Sequence, residues 1–230
     1  MSWLLALTVA VVLALSAWRR PEARGWIVAF IATLVLFLGL QNLPPLLPGE
    51  RLIGGRWNWG GQLLGLAGTL VIGWLLVQRA GLSWLAMGFT WRQQPGSWRA
   101  AVAVSALALL LNVLAMSQSA FRLHAVAPET WLYQATLPGL VEEAVFRGVL
   151  LALLDRAFVA RWDGFGAPIG WGGVVVSAVF VVLHGVTPGT LVAVLPASLL
   201  YLWLRAHTGS LVAPMLTHNL WNLSVHLAHL

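Results

Sequence analysis

The run "LPGLVEEAVFRGVLLALL", Leu137 to Leu154, sets two adjacent glutamates, Glu142 and Glu143, and one arginine, Arg147, among apolar residues. At helical spacing Glu143 and Arg147 are four apart and share a face, so they form an intrahelical ion pair. Glu142 is rotated about 100° away from Glu143 and has no partner on its own helix. Two later runs carry imidazoles in the same kind of setting. In "FVVLH", Phe180 and His184 share a stripe, and in "HNLWN", His218 and Asn222 do. A carboxylate and an imidazole meeting in a low-dielectric cavity hold a water and remove its proton. A second histidine with an asparagine amide donates to a carbonyl oxygen as it becomes an oxyanion. Together these are the parts for hydrolysing an amide.

Each residue also has a plainer role. A single intramembrane histidine hydrogen-bonds across helices, and Asn222 serves as helix-packing glue. The Glu143–Arg147 pair supports structure, and Phe180 packs the core. His124, His226 and His229 read as interfacial or solvated. The serines in or near apolar segments, Ser105, Ser177 and Ser210, form no Ser/His/Asp constellation. Asp155 and Asp163 fall in one loop, which excludes an aspartyl dyad. Glu142 with His184 and His218 also supplies the two-His-one-carboxylate set of a catalytic zinc site. The sequence has no HExxH, so either no cofactor or a divalent metal such as zinc is compatible with it.

The elements that must position these groups are membrane helices. Of 230 residues, 60% are hydrophobic and only 9% charged, against about 25% charged in a soluble domain. Mean hydropathy is +0.84. There is no Cys, which removes disulfides and thiolate chemistry. The net charge of +6 comes from arginines scattered between apolar runs, without the clustered face that nucleic acid requires. The lipid bilayer and a membrane-associated protein or peptide are the expected partners, and nucleic acid is not.

Segments near the roughly 20 residues a crossing needs lie at about 2–18, 26–47, 60–78, 98–117, 131–154, 171–187, 190–206 and 210–229. The expected fold is an all-α polytopic bundle of about eight transmembrane helices. Arg19 and Arg20 follow the first apolar run, which reads as a retained helix rather than a signal peptide. Prolines end the second crossing. The stretch "GLSWLAMGFTWRQQPGSW" reads as an interfacial connector carrying Trp84, Trp91 and Trp98. Thr187 to Gly189 is a tight turn. Residues 1–130 form N-terminal helices plus the connector, and residues 131–225 a catalytic core, within one membrane domain. Alternate loops hold Arg19, Arg20, Arg24, Arg79, Arg92, Arg99, Arg156, Arg161 and Arg205, and the other loops Arg51, Arg56 and Arg122. The first set is expected to be cytoplasmic, with both termini outside. That places His184 near the outer end of the sixth helix, and the side to which a cavity opens stays undetermined.

The motifs "EEAVFRG", "FVVLH" and "HNLWN" resemble, in order, the EExxxR, FxxxH and HxxxN motifs of the CPBP intramembrane proteases. These include the type II CAAX prenyl endopeptidases and the bacterial Abi-type proteins. The resemblance spans residues 131 to 225. It implies that Glu142 and His184 activate water, that His218 and Asn222 form the oxyanion site, and that Glu143 and Arg147 support them. It also implies a multi-pass protein of the cell membrane, in bacteria the inner membrane. Two other classes compete with an endopeptidase. One is a non-catalytic scaffold, such as a bacteriocin-immunity or regulatory protein, which would tolerate loss of Glu142 and His184. The other is a transporter or proton channel, which calls for polar residues through the membrane depth and inverted repeats.

Overall fold

A computed structural model describes residues 2–44, 56–117 and 126–227. The chain is helical almost throughout: α1 (Ser2–Arg19), a short 3₁₀ turn, α2 (Arg24–Gln41), α3 (Trp59–Ala80), α4 (Ser97–Ser117), α5 (Pro128–Glu143), a π-helical segment (Ala144–Leu150), α6 (Leu151–Ala157), α7 (Trp171–His184), α8 (Pro188–Thr208) and α9 (Val212–Leu227). The expected all-α fold needs one amendment. Between α6 and α7 the chain makes a short antiparallel hairpin, β1 (Arg161–Asp163) with β2 (Pro168–Gly170). Only Gly164 to Ala167 separate the strands, and Gly164 and Ala167 exchange backbone hydrogen bonds.

Four stretches among the described residues are long and apolar enough to cross a membrane: Pro21–Gln41, Trp59–Ala80, Ser97–Ser117 and Pro188–Thr208. The bundle is a multi-pass membrane fold, and these four stretches by themselves do not establish the expected count of about eight. The difference lies in the segments that carry the chemistry. α7 has only 14 residues, about 21 Å of helix, against a hydrocarbon core of roughly 30 Å. α7 alone is therefore too short to span that core, and His184 is its last residue. α5, the π segment and α6 run without a break from Pro128 to Ala157, so Asp155 is helical rather than part of a loop. Arg205 likewise lies in the last turn of α8.

Helix ends follow local chemistry. Asn58 caps α3 by accepting from the Gly61 amide at 3.0 Å. Thr187 accepts from the Thr190 amide at the start of α8, with Pro188 in the first turn. Gly209 ends α8 in the left-handed conformation, φ 72°, which a side chain would disfavour.

Apolar side chains cover the outside as well as the inside. On α4, Val102, Leu107, Leu110, Leu111 and Leu114 are all exposed, which is the surface lipid requires. Polar contacts instead join α4 to α9 inside the bundle. Ser105 and Thr217 hydroxyls lie 2.8 Å apart, and Asn112 donates to the Ser224 hydroxyl at 2.7 Å. Such bonds hold helices together where the hydrophobic effect does not.

One core cluster joins Ile27, Phe30 and Phe37 of α2 to Phe146, Val149 and Leu150 of the π segment and to Phe180 of α7. The connector between α3 and α4 contributes too. Met87 and Leu82 are buried, and Gly88 O accepts from the Leu211 amide at the entry to α9. Trp91 is 88% exposed, so the interfacial reading suits that residue, whereas the middle of the connector is docked under α9.

Candidate active site

The Glu-Glu pair sits where α5 gives way to the π segment, at the middle of the continuous 128–157 helix. Single π turns inside α-helices are frequent at functional sites. Every residue of the π segment is buried, and the Arg147 carbonyl accepts from Arg205 Nε at 3.3 Å. The neighbouring glutamates diverge as their spacing requires. Glu143 points into the protein and Glu142 into a cleft.

Glu143 and Arg147 have no exposed surface, and their side chains approach to 3.3 Å. Arg147 also donates to the Ser198 carbonyl at 2.9 Å and to its hydroxyl at 2.8 Å. Its guanidinium lies 4.4 Å from the centre of the Phe180 ring and 5.5 Å from that of Tyr201. This buried cation is therefore surrounded by a carboxylate, a hydroxyl, a carbonyl and two aromatic faces, the compensation that burying a charge demands. The same Glu143 oxygen accepts from His218 Nδ1 at 2.8 Å, and Tyr201 stacks on the His218 ring at 4.6 Å. His218 is thus fixed in both position and ring orientation.

Glu142 Oε2 lies 3.8 Å from His184 Nε2 and 3.9 Å from His218 Nε2, and it has no hydrogen-bond partner of its own. His184 is held by a 2.8 Å contact from Nδ1 to the Phe180 carbonyl and by the Phe180 ring at 4.4 Å. A carbonyl can only accept, so His184 Nδ1 carries the proton, and an ionised Glu143 requires the same of His218. In the neutral rings both Nε2 atoms are then acceptors. Two imidazole lone pairs and one carboxylate oxygen converge on a single point, which calls for a donor between them.

The cleft that holds this point has a volume of about 360 Å³, and Asn222 and His226 help to line it. His226, read from the sequence as interfacial or solvated, lines the cleft wall from the last turn of α9, with its ring 5.7 Å from that of Trp131. His124 and His229 lie outside the described residues. Trp57 and Tyr133 form the opposite wall, stacked at 4.8 Å. The α5–α9 crossing that sets the gap between Glu142 and His218 depends on small groups. Pro138 removes one donor from the α5 ladder. The Asn219 side chain then inserts, accepting from the Gly139 amide at 2.7 Å and donating to Thr136 O at 3.2 Å. A Cβ at Gly139 would collide with Met215 O and the Asn219 amide.

The structure brings Glu142, Glu143, Arg147, Phe180, His184, His218 and Asn222 together. Sequence reasoning missed Tyr201, Ser198 and Asn219, which position that group, and Trp57 and Tyr133, which wall the cleft. Asn219 was adjacent to a motif residue, and Gly139 lay one turn before Glu142. Ser198 and Tyr201 gave no signal, because a serine and a tyrosine in an apolar helix are unremarkable until their partner is known. None of Ser105, Ser177 or Ser210 has an imidazole among its hydrogen-bond partners.

A tetrahedral zinc with bonds of about 2.0–2.1 Å would bring its ligand atoms to roughly 3.3 Å from one another. The 3.8 and 3.9 Å separations are wider. Among the described residues no group of three or more His, Cys, Asp or Glu is arranged to hold a metal. The Glu142, His184 and His218 donors do not form a metal centre as they stand.

Residues 124–224 match the family model described as type II CAAX prenyl endopeptidase, Rce1-like. No curated protein and no solved structure matches the chain.

Proposed function

We propose, for a chain whose residues 124–224 match the Rce1-like type II CAAX prenyl endopeptidase family model, that it is a member of that family and that the cleft hydrolyses a peptide bond of a membrane-associated protein or peptide. The observation that carries this reading is the unpartnered Glu142 oxygen facing two imidazole nitrogens within 4 Å. A water between them donates one proton to Glu142 and the other to His184, which leaves an oxygen lone pair to attack the scissile carbonyl. Glu142 takes the first proton as the C–O bond forms and returns it to the leaving amine as the C–N bond breaks. His218 takes a solvent proton at Nε2 as the substrate carbonyl enters, becoming an imidazolium against Glu143, and gives it back after product release; while protonated, it and the Asn222 amide donate to the oxyanion. Glu143 holds His218 through Nδ1, and Arg147 holds Glu143.

Profiling of protein N-termini in membranes tests this reading. Wild type, Glu142→Gln and His184→Ala are expressed at matched levels. The expected result is a set of new termini with wild type that both variants lose. Termini that persist in both variants would remove the assignment. A cellular phenotype that survives both substitutions, with no wild-type termini, would favour the non-catalytic scaffold instead.

A further inference from the structure

We propose that the cleft opens on the non-cytoplasmic side of the membrane and acts on peptide segments presented from that side. This rests on the endopeptidase reading of the cleft and adds the direction from which its substrate arrives.

The two ends of the bundle differ in charge. Arg156 reaches the Gly81 carbonyl at the end of α3 and lies over the Trp26 ring at the start of α2. Arg161 pairs with Asp155 at 2.8 Å. Arg92, Arg161 and Arg205 line one surface hollow, and Arg19 and Arg20 line another beside Phe158 and Trp171. Arg24, Arg79 and Arg99 sit at the helix ends on this same side. Nine of the thirteen arginines therefore gather at one end. At the other end Arg56 adjoins Trp57, Trp59 and Glu129, and only Arg51 and Arg122 join it in sequence. A nine-to-three bias across short loops places the arginine-rich end in the cytoplasm.

The cleft lies towards the arginine-poor end. α7 starts at Trp171 on the arginine-rich side and reaches His184 after about 20 Å, leaving the site roughly 10 Å below the opposite face of a ~30 Å core. From Glu142 the walls run outward through Pro138, Gln134, Tyr133, Trp57 and His226. The other direction is closed by the Glu143–Arg147–Ser198 cluster and by Val149, Leu150, Leu153 and Leu154, all buried. The His184 side chain, 38% exposed, stands nearer the opening than Glu142, at 15%. A prenylated C-terminus presented from the cytoplasm would meet the closed end. An extended segment of a membrane-anchored or exported protein, already on the far side, meets the aromatic mouth.

The absence of Cys allows a direct test in the full-length protein. Gly189→Cys places a thiol five residues beyond His184, at an exposed position where a Cβ meets only the Thr187 hydroxyl, in ordinary contact at 3.9 Å. Val159→Cys places one at an exposed position on the arginine-rich side. A membrane-impermeant maleimide added to intact cells or right-side-out vesicles is expected to label Gly189→Cys. Val159→Cys should label only after permeabilisation. The reverse pattern, or equal labelling of both, overturns the proposal. Terminal profiling of Glu142→Gln against wild type adds the substrate. Glu142-dependent termini in non-cytoplasmic segments support the proposal, and termini in cytoplasmic segments overturn it. Labelling as expected without any Glu142-dependent terminus removes the endopeptidase reading and leaves the opening side established.

Discussion

At the scale of single residues, the groups proposed to react are distinct from the groups that hold them. Glu142 makes no hydrogen bond that the fold needs, so Glu142→Gln is expected to leave thermal unfolding in detergent unchanged while lowering peptide hydrolysis about 10²–10⁴-fold, the range for a general base. Asn222→Ala is expected to lower kcat by about 10²–10³, as for an oxyanion donor, with little change in KM. Arg147→Ala belongs to the other class. It leaves Glu143 charged and buried, so the loss is expected to reach about 3–5 kcal/mol, seen as a large fall in Tm. Replacing both members, Glu143→Met with Arg147→Met, should recover much of that stability but not activity, since His218 loses its Nδ1 partner. The motif spacings made this division readable in outline. Phe180 is the instructive exception, because core packing describes only part of its role. Its ring lies against both Arg147 and His184, and its carbonyl holds His184.

At the scale of elements, the helix pattern was readable and the lengths were not. Apolar runs mark where helices lie, but they cannot tell a full crossing from a 14-residue helix that stops at His184, because the turn after it, Gly185 to Thr187, is also apolar enough to be counted. The π segment left no trace in the sequence, since its residues are as apolar as those of an ordinary helix. Small side chains did leave one. Gly139→Ala is expected to cost about 1–3 kcal/mol through overpacking of the α5–α9 crossing, read as a lower Tm, and to widen the gap between Glu142 and His218. Glu129, in the first turn of α5, ties the start of α3 to α5. The Arg56 backbone amide first, and then the Trp59 indole, hold its carboxyl below the ordinary carboxylate range. The folded pKa is lowered, so the contribution is present above the unfolded value and is lost as pH falls through the folded one. Glu129→Gln is expected to flatten that acid limb of a Tm-against-pH curve without altering its alkaline side.

At the scale of the whole molecule, residues 124–224 carry the family match and the Glu/His cluster, yet the core does not stop at that boundary. Phe37 of α2 packs edge-on against Phe146 at 6.1 Å, and Phe146 packs against Phe180 at 5.1 Å. A chain lacking α1 and α2 would expose that aromatic row behind the site, and it is expected to aggregate in detergent on size-exclusion chromatography where the full chain is monodisperse. Composition alone made the membrane class readable. The direction of the cleft required the fold, because only the packing shows which end of the bundle is closed.

The central claim is that Glu142 and His184 act on one water as a unit. Once a cleaved peptide is known, its hydrolysis by the reconstituted wild type, Glu142→Gln, His184→Ala and the double variant measures this directly. Groups that act together are strongly non-additive, so the double variant should be no slower than the slower single variant. Losses that multiply would mean that the two residues act independently and would contradict the account.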